Sequence, residues 1–67
     1  MNKVYKVTTA SKYGKLSKLF SSYDEAAEQY NTWVDNFDLD KADGEPVLRV
    51  SLNVFENGAE TTLAIHF

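Results

Sequence analysis

The chain has 67 residues, of which 43% are hydrophobic and 25% charged, with a formal net charge of −3 and no cysteine. That length allows one small domain, and the composition excludes wholesale disorder, a disulfide framework and a thiolate metal site. No apolar run approaches the ~18 residues of a membrane span, and no signal-peptide core follows the N-terminus, so a cytoplasmic protein with no membrane association is expected.

In chain order, Val4-Tyr5-Lys6-Val7-Thr8-Thr9 is rich in β-branched and aromatic residues, and Leu16-Ser17-Lys18-Leu19-Phe20 resumes after Tyr13-Gly14. Two strands turning near residues 11 to 14 form a hairpin over residues 3–21. Two registers remain open. A two-residue loop at Tyr13-Gly14 pairs Val7 with Phe20 and puts Lys18 on the same face. A four-residue loop pairs Tyr5 with Phe20 and leaves Lys18 beside Val7.

Ser22-Tyr23-Asp24-Glu25 fits a capping box that opens a helix over residues 23–37. Acids in the first turn suit the positive end of the helix dipole. Tyr23, Ala26, Ala27, Tyr30, Trp33, Val34 and Phe37 recur at helical spacing and make one apolar stripe, which is a core face before it is a ligand-stacking one. Residues 38–46 then read as an acidic loop, with Asp, Gly44 and Pro46 as turn and strand-entry residues. A calcium loop fails on register. Counted from Asp38, the fifth position is Ala42, the glycine falls seventh and the twelfth is Arg49.

Residues 47–67 form a second hairpin about Asn57-Gly58, a dipeptide suited to a type I′ turn because both central residues need positive φ. With that turn, Leu48, Val50, Leu52 and Val54 pair with Phe67, Ile65, Leu63 and Thr61 on an apolar face. Arg49, Ser51, Asn53 and Phe55 pair with His66, Ala64, Thr62 and Glu60 on a mostly polar one. The expected fold is therefore α+β: ββαββ, a single domain over residues 1–67 with one helix packed on a four-stranded, mainly antiparallel sheet.

The net charge conceals a separation. Residues 1–23 hold Lys3, Lys6, Lys12, Lys15 and Lys18 and no acid, giving +5. Residues 24–45 carry −7, through Asp24, Glu25, Glu28, Asp35, Asp38, Asp40, Asp43 and Glu45 against Lys41, and the remainder carries −1. Either the basic hairpin and acidic helix attract one another within the fold, or one block is presented to a partner.

No catalytic residues, metal ligands or cofactor site emerge, and the protein is not expected to be an enzyme. His66 is the only histidine, the three glycines are widely separated, and so small a domain has little room for a pocket. Three binding surfaces remain. Asp24, Glu25, Glu28, Asp35, Asp38, Asp40 and Asp43 could form a negative strip of ~20 Å, by the ~1.5 Å rise per helical residue, and fit a basic groove with carboxylates in place of phosphates. Lys3, Lys6, Lys12, Lys15 and Lys18, interleaved with Tyr5 and Tyr13, could bind nucleic acid, although lysines also guard strand edges. Phe55, Ala64 and His66 on the uncovered hairpin face could support a homodimer.

The β-β-α-β-β order and size are similar to the immunoglobulin-binding domains of streptococcal protein G. An acidic, cysteine-free short chain starting at Met1 without a signal peptide also resembles small phage-encoded proteins, including anti-CRISPR-type inhibitors. The latter resemblance, carried by size, charge and layout, implies inhibition by binding a protein partner.

Overall fold

A computed structural model describes residues 3–67. The elements are β1 (Val4–Ser11), β2 (Gly14–Phe20), α1 (Tyr23–Ala42), β3 (Val47–Glu56) and β4 (Ala59–His66). They form one open four-stranded sheet in the order β2-β1-β3-β4, antiparallel at every pairing, beside a single helix. This is the expected α+β, ββαββ fold.

The first hairpin adopts one of its two open registers, with Tyr5 opposite Phe20 and Lys18 opposite Val7. It closes more tightly than a four-residue loop, because Ser11 pairs with Gly14 and only Lys12-Tyr13 lie between them. Ser11 supports the turn from inside: its Oγ accepts from the Tyr13 amide at 3.2 Å. Lys18 faces the helix yet stays out of the core. Edge strand β2 lets its stem run outward, so that Nζ donates to Gln29 Oε1 at 3.5 Å and lies 5.9 Å from the Trp33 ring centroid.

Helix α1 begins at Ser22, whose φ of −124° and ψ of 136° suit an N-cap. The capping box does not form: the Ser22 side chain makes no cap hydrogen bond, and its carbonyl accepts from the Ala26 amide at 3.2 Å. At the other end the helix continues to Ala42, so residues 38–42 are helical where an acidic loop was expected. The reason is local chemistry. Asp38-Leu39-Asp40-Lys41-Ala42 contains no glycine or proline, and the stop lies at Gly44, whose φ is +84°. Gly44 donates its amide to the Lys41 carbonyl at 3.1 Å and Glu45 to that of Asp40 at 2.9 Å, the paired bonds of a Schellman ending.

The second hairpin begins as expected. Asn57 and Gly58 both have positive φ, at 55° and 79°, and Phe55–Glu60, Val54–Thr61 and Asn53–Thr62 pair across the turn. Beyond that the register shifts: Leu52 faces Ala64, Ser51 faces Ile65 and Val50 faces His66, so Leu63 is an extra residue in a β-bulge. The expected pairs Leu52–Leu63, Val50–Ile65, Leu48–Phe67, Ser51–Ala64 and Arg49–His66 do not form. Ala64 and His66 turn toward α1, while Leu63 and Ile65 are 46% and 47% exposed. The helix dictates this exchange. Phe37, 2% exposed, fills the space above the end of the sheet, and the His66 ring meets it edge-on at 5.3 Å.

The core is thin. Val7, Ala26 and Leu52 form its centre, with Tyr5, Phe20, Tyr30, Trp33 and Ala64 packed around them, and Val50 and Phe37 are buried nearby. Of the stripe expected on the helix, Ala26 and Phe37 are buried, Ala27, Tyr30, Trp33 and Val34 half-buried, and Tyr23 exposed, with its ring 5.8 Å from that of Tyr5. The body measures 42 × 20 × 15 Å with a radius of gyration of 12.2 Å. A compact chain of this length would have about 11 Å. Helix and sheet thus make two layers, and the sheet face away from the helix has no covering layer among the described residues.

Candidate functional surfaces, one acidic and one basic

Alternation along the strands assigns each charge to a layer. Tyr5, Val7 and Thr9 share the face of the core residues Leu52 and Val50, so Lys6, Thr8 and Ala10 face the other way. The same parity places Lys15, Ser17 and Leu19 of β2 and Arg49, Ser51, Asn53 and Phe55 of β3 on that open face. Glu60 and Thr62 join them from β4, before the bulge, and Ile65 after it.

The helix carries the opposite sign. At about 100° per residue, Asp24, Glu28 and Asp35 fall within about 40° of one another, on the side turned away from Ala26 and Phe37. All three are exposed, as are Glu25, Asp38, Asp40 and Asp43. Because α1 is unbroken through Ala42, Asp38 and Asp40 lie on the same helix, Asp38 about 60° from this ridge and Asp40 about 140° round toward the sheet side, and Asp43 is its C-cap. Six of the seven expected acidic residues therefore lie on one rigid element, with the seventh at its end. Asp38 is partly engaged: its Oδ1 lies 2.6 Å from His66 Nε2, tying α1 to β4. An open cleft of about 230 Å³ between Phe20 and the helix is lined by Glu25, Glu28, Gln29 and Thr32.

The structure does not gather the five lysines of the first hairpin. Lys6 and Lys15 lie on the open face, Lys18 faces the helix, Lys12 is in the turn, and Lys3 sits at the far end, 3.7 Å from Glu56. Among the described residues no salt bridge joins these lysines to the acids of α1; Lys3 pairs with Glu56, and His66 meets Asp38 through a hydrogen bond. Attraction between the blocks within the fold is thus not realised as direct pairing.

The chemistry of the open face includes a residue that the expected pairing concealed. Arg49, expected opposite His66, instead lies across β1 from Lys15, with Ala10 between them. Lys6 stands further along, its Nζ 5.8 Å from the Phe55 ring centroid. Glu60 is the acid of this face and accepts a hydrogen bond from Asn53 Nδ2. The three cations become visible as a group only once the β1–β2 and β1–β3 registers are known. The homodimer face expected from Phe55, Ala64 and His66 is split by the bulge, since Phe55 is on the open face and the other two turn toward the helix.

A second open cleft, of about 260 Å³, lies at the first turn between Thr9, Ser11, Tyr13 and Leu16. Among the described residues no group of three or more His, Asp or Glu side chains is arranged to hold a metal ion, and no helix is long and apolar enough to cross a membrane. Compared with family models, curated proteins and solved structures, the chain matches none.

Proposed function

We propose that the protein is a non-enzymatic binding module whose acidic helix surface docks into a basic groove of a nucleic-acid-handling protein, in the manner of an inhibitor encoded by a phage or mobile element. The supporting observation is an arrangement of acids that helix stability does not explain. Asp24 and Glu28 are like charges at i and i+4, a spacing that costs a few tenths of a kcal/mol. Asp38, Asp40 and Asp43 crowd the helix C-terminus, where the dipole favours cations, against a single last-turn base, Lys41. Asp24 gains from the N-terminal dipole and Asp38 from its bond to His66, whereas Glu28, Asp40 and Asp43 break local rules without such a return, a mark of a functional surface.

Carboxylates spaced along a rigid rod can occupy the positions of phosphates in a cationic groove, with electrostatics steering the approach. Binding there would exclude the nucleic acid. The acids that act most directly are Asp24, Glu28 and Asp35 on the outward ridge, with Glu25 and Asp38 on its flanks and Asp40 and Asp43 at the helix end.

The test is capture of partners from native host cells by the wild-type chain and by a Glu28→Lys/Asp35→Lys variant whose helical content is first verified by circular dichroism. The wild type should retain a nucleic-acid-binding protein, in salt-sensitive fashion, and the variant should lose it at least tenfold. Equal retention by both would remove the acidic surface from the mechanism.

A further inference from the structure

We propose that the open face of the sheet receives the acidic helix of a second copy of this chain, so that the protein self-associates head to tail when ionic strength is low. The sheet's uncovered face is a layer without a partner, and a stable sheet face is normally packed against another element. Its charged groups are Lys6, Lys15 and Arg49 against Glu60, which is already hydrogen-bonded to Asn53. The opposite side of the molecule presents Asp24, Glu28 and Asp35, none of which pairs with a described cation of its own chain. Each copy thus carries two complementary faces that its own fold keeps apart.

The dimensions agree. From Asp24 to Asp35 the helix rises about 16 Å at ~1.5 Å per residue. From Lys6 to the Lys15–Arg49 row, four residues along β1 span about 13 Å at ~3.3 Å each. Val4 and Leu19, 37% and 65% exposed, together with Ile65, supply apolar contact on the sheet side, and Leu39, 66% exposed on the outward side of α1, supplies it on the helix side. A single-stranded nucleic acid is the less favoured occupant, because stacking would fall on Phe55, over whose ring Lys6 already lies.

The contact joins two different surfaces, so it is heterologous and leaves one free face at each end of every assembly, giving short chains instead of a closed dimer. It uses the same helix acids as partner binding and therefore competes with it, which goes beyond the function proposed above.

Sedimentation velocity at low and at ~1 M salt tests this, since the Debye length falls to about 3 Å at the higher value. The wild type should sediment as a concentration-dependent series above its 7.6 kDa monomer at low salt and as monomer at high salt. A Lys6→Gln/Lys15→Gln/Arg49→Gln variant and an Asp24→Asn/Glu28→Gln/Asp35→Asn variant should each be monomeric alone. Mixed, they should give a 1:1 dimer that grows no further, because only one intact face of each kind remains. A wild type that stays monomeric at low salt overturns the proposal, as does self-association that survives either set of substitutions. An oligonucleotide bound by the monomeric wild type and not by the sheet variant would reassign the face to nucleic acid. The sheet variant keeps the helix acids, so it should still capture the host partner; the two proposals can therefore fail separately.

Discussion

His66 sits where three effects meet. The bulge turns it toward the helix, Phe37 packs against its ring edge, and Asp38 Oδ1 accepts from Nε2 over 2.6 Å. None of this could be read from one strand pattern, because the His66 contacts lie 28 and 29 positions back in the chain and depend on the helix passing residue 37. Tyr30 offers a sharper test at this scale. It packs against the core beside Trp33, and desolvation raises its phenol pKa above the ordinary value of 10.0. The folded state therefore holds the phenolic proton more tightly than the unfolded chain does. That stabilising contribution is present in full below about pH 10 and is lost as pH rises through the Tyr30 value of the folded state. Urea denaturation from pH 8 to 11 should show a decline that is shallower in Tyr30→Phe. Parallel alkaline limbs in the two proteins would mean that Tyr30 carries none of it.

Single elements were legible where turn chemistry and periodicity agreed. Asn57-Gly58 located the second turn and its first three pairs, and the stripe from Ala26 to Phe37 located the buried side of the helix. What escaped was the place where one element constrains another. The 115-sum register separates apolar from polar residues cleanly on paper, yet it would put Leu63 and Ile65 under a helix whose Phe37 already fills that space. The helix end, by contrast, was present in the sequence as Gly44 followed by Pro46 and was masked by the density of acids before it. The bulge makes an unusual expectation. Deleting a residue inside a strand normally inverts every side chain beyond it, with loss of the fold. Deleting Leu63 should instead leave Thr62 on Asn53 and Ala64 on Leu52, as a regular ladder. The deletion should fold, retain cross-strand contacts between Val50 and His66 by nuclear Overhauser effects, and melt within a few degrees of the wild type. Deletion of Ser51, in the strand opposite the bulge, cannot be absorbed in this way and inverts β3 against β1 as well, so it should be far more damaging. Equal collapse of both proteins would place the extra residue elsewhere.

Across the whole molecule, charge blocks that are contiguous in sequence become layers in space. The acidic block does so almost intact because a helix keeps it on one rod, whereas strand alternation scatters the lysines over two faces, a turn and the far end of the hairpin. This is why the acidic candidate residues survive as a surface and the basic ones do not, and why the basic face that does exist recruits Arg49 from a different hairpin. It also sets stability against function. Replacing Glu28 and Asp35 by lysine removes the Asp24–Glu28 repulsion, creates an acid-to-lysine pair at i,i+4 between Asp24 and position 28, and cuts the negative density along the helix. Each such change is worth about 0.2–0.5 kcal/mol. In a domain of this size a gain of 1 kcal/mol raises the melting temperature by roughly 4–8 °C. The double variant should therefore melt a few degrees higher than the wild type at low salt. The gap should narrow as salt screens the repulsion. Thermal denaturation at two ionic strengths measures both effects, and a variant that melts lower at low salt would show that the acids serve the fold. A more stable variant that no longer captures a partner would show the reverse: the helix forgoes stability to keep its surface negative.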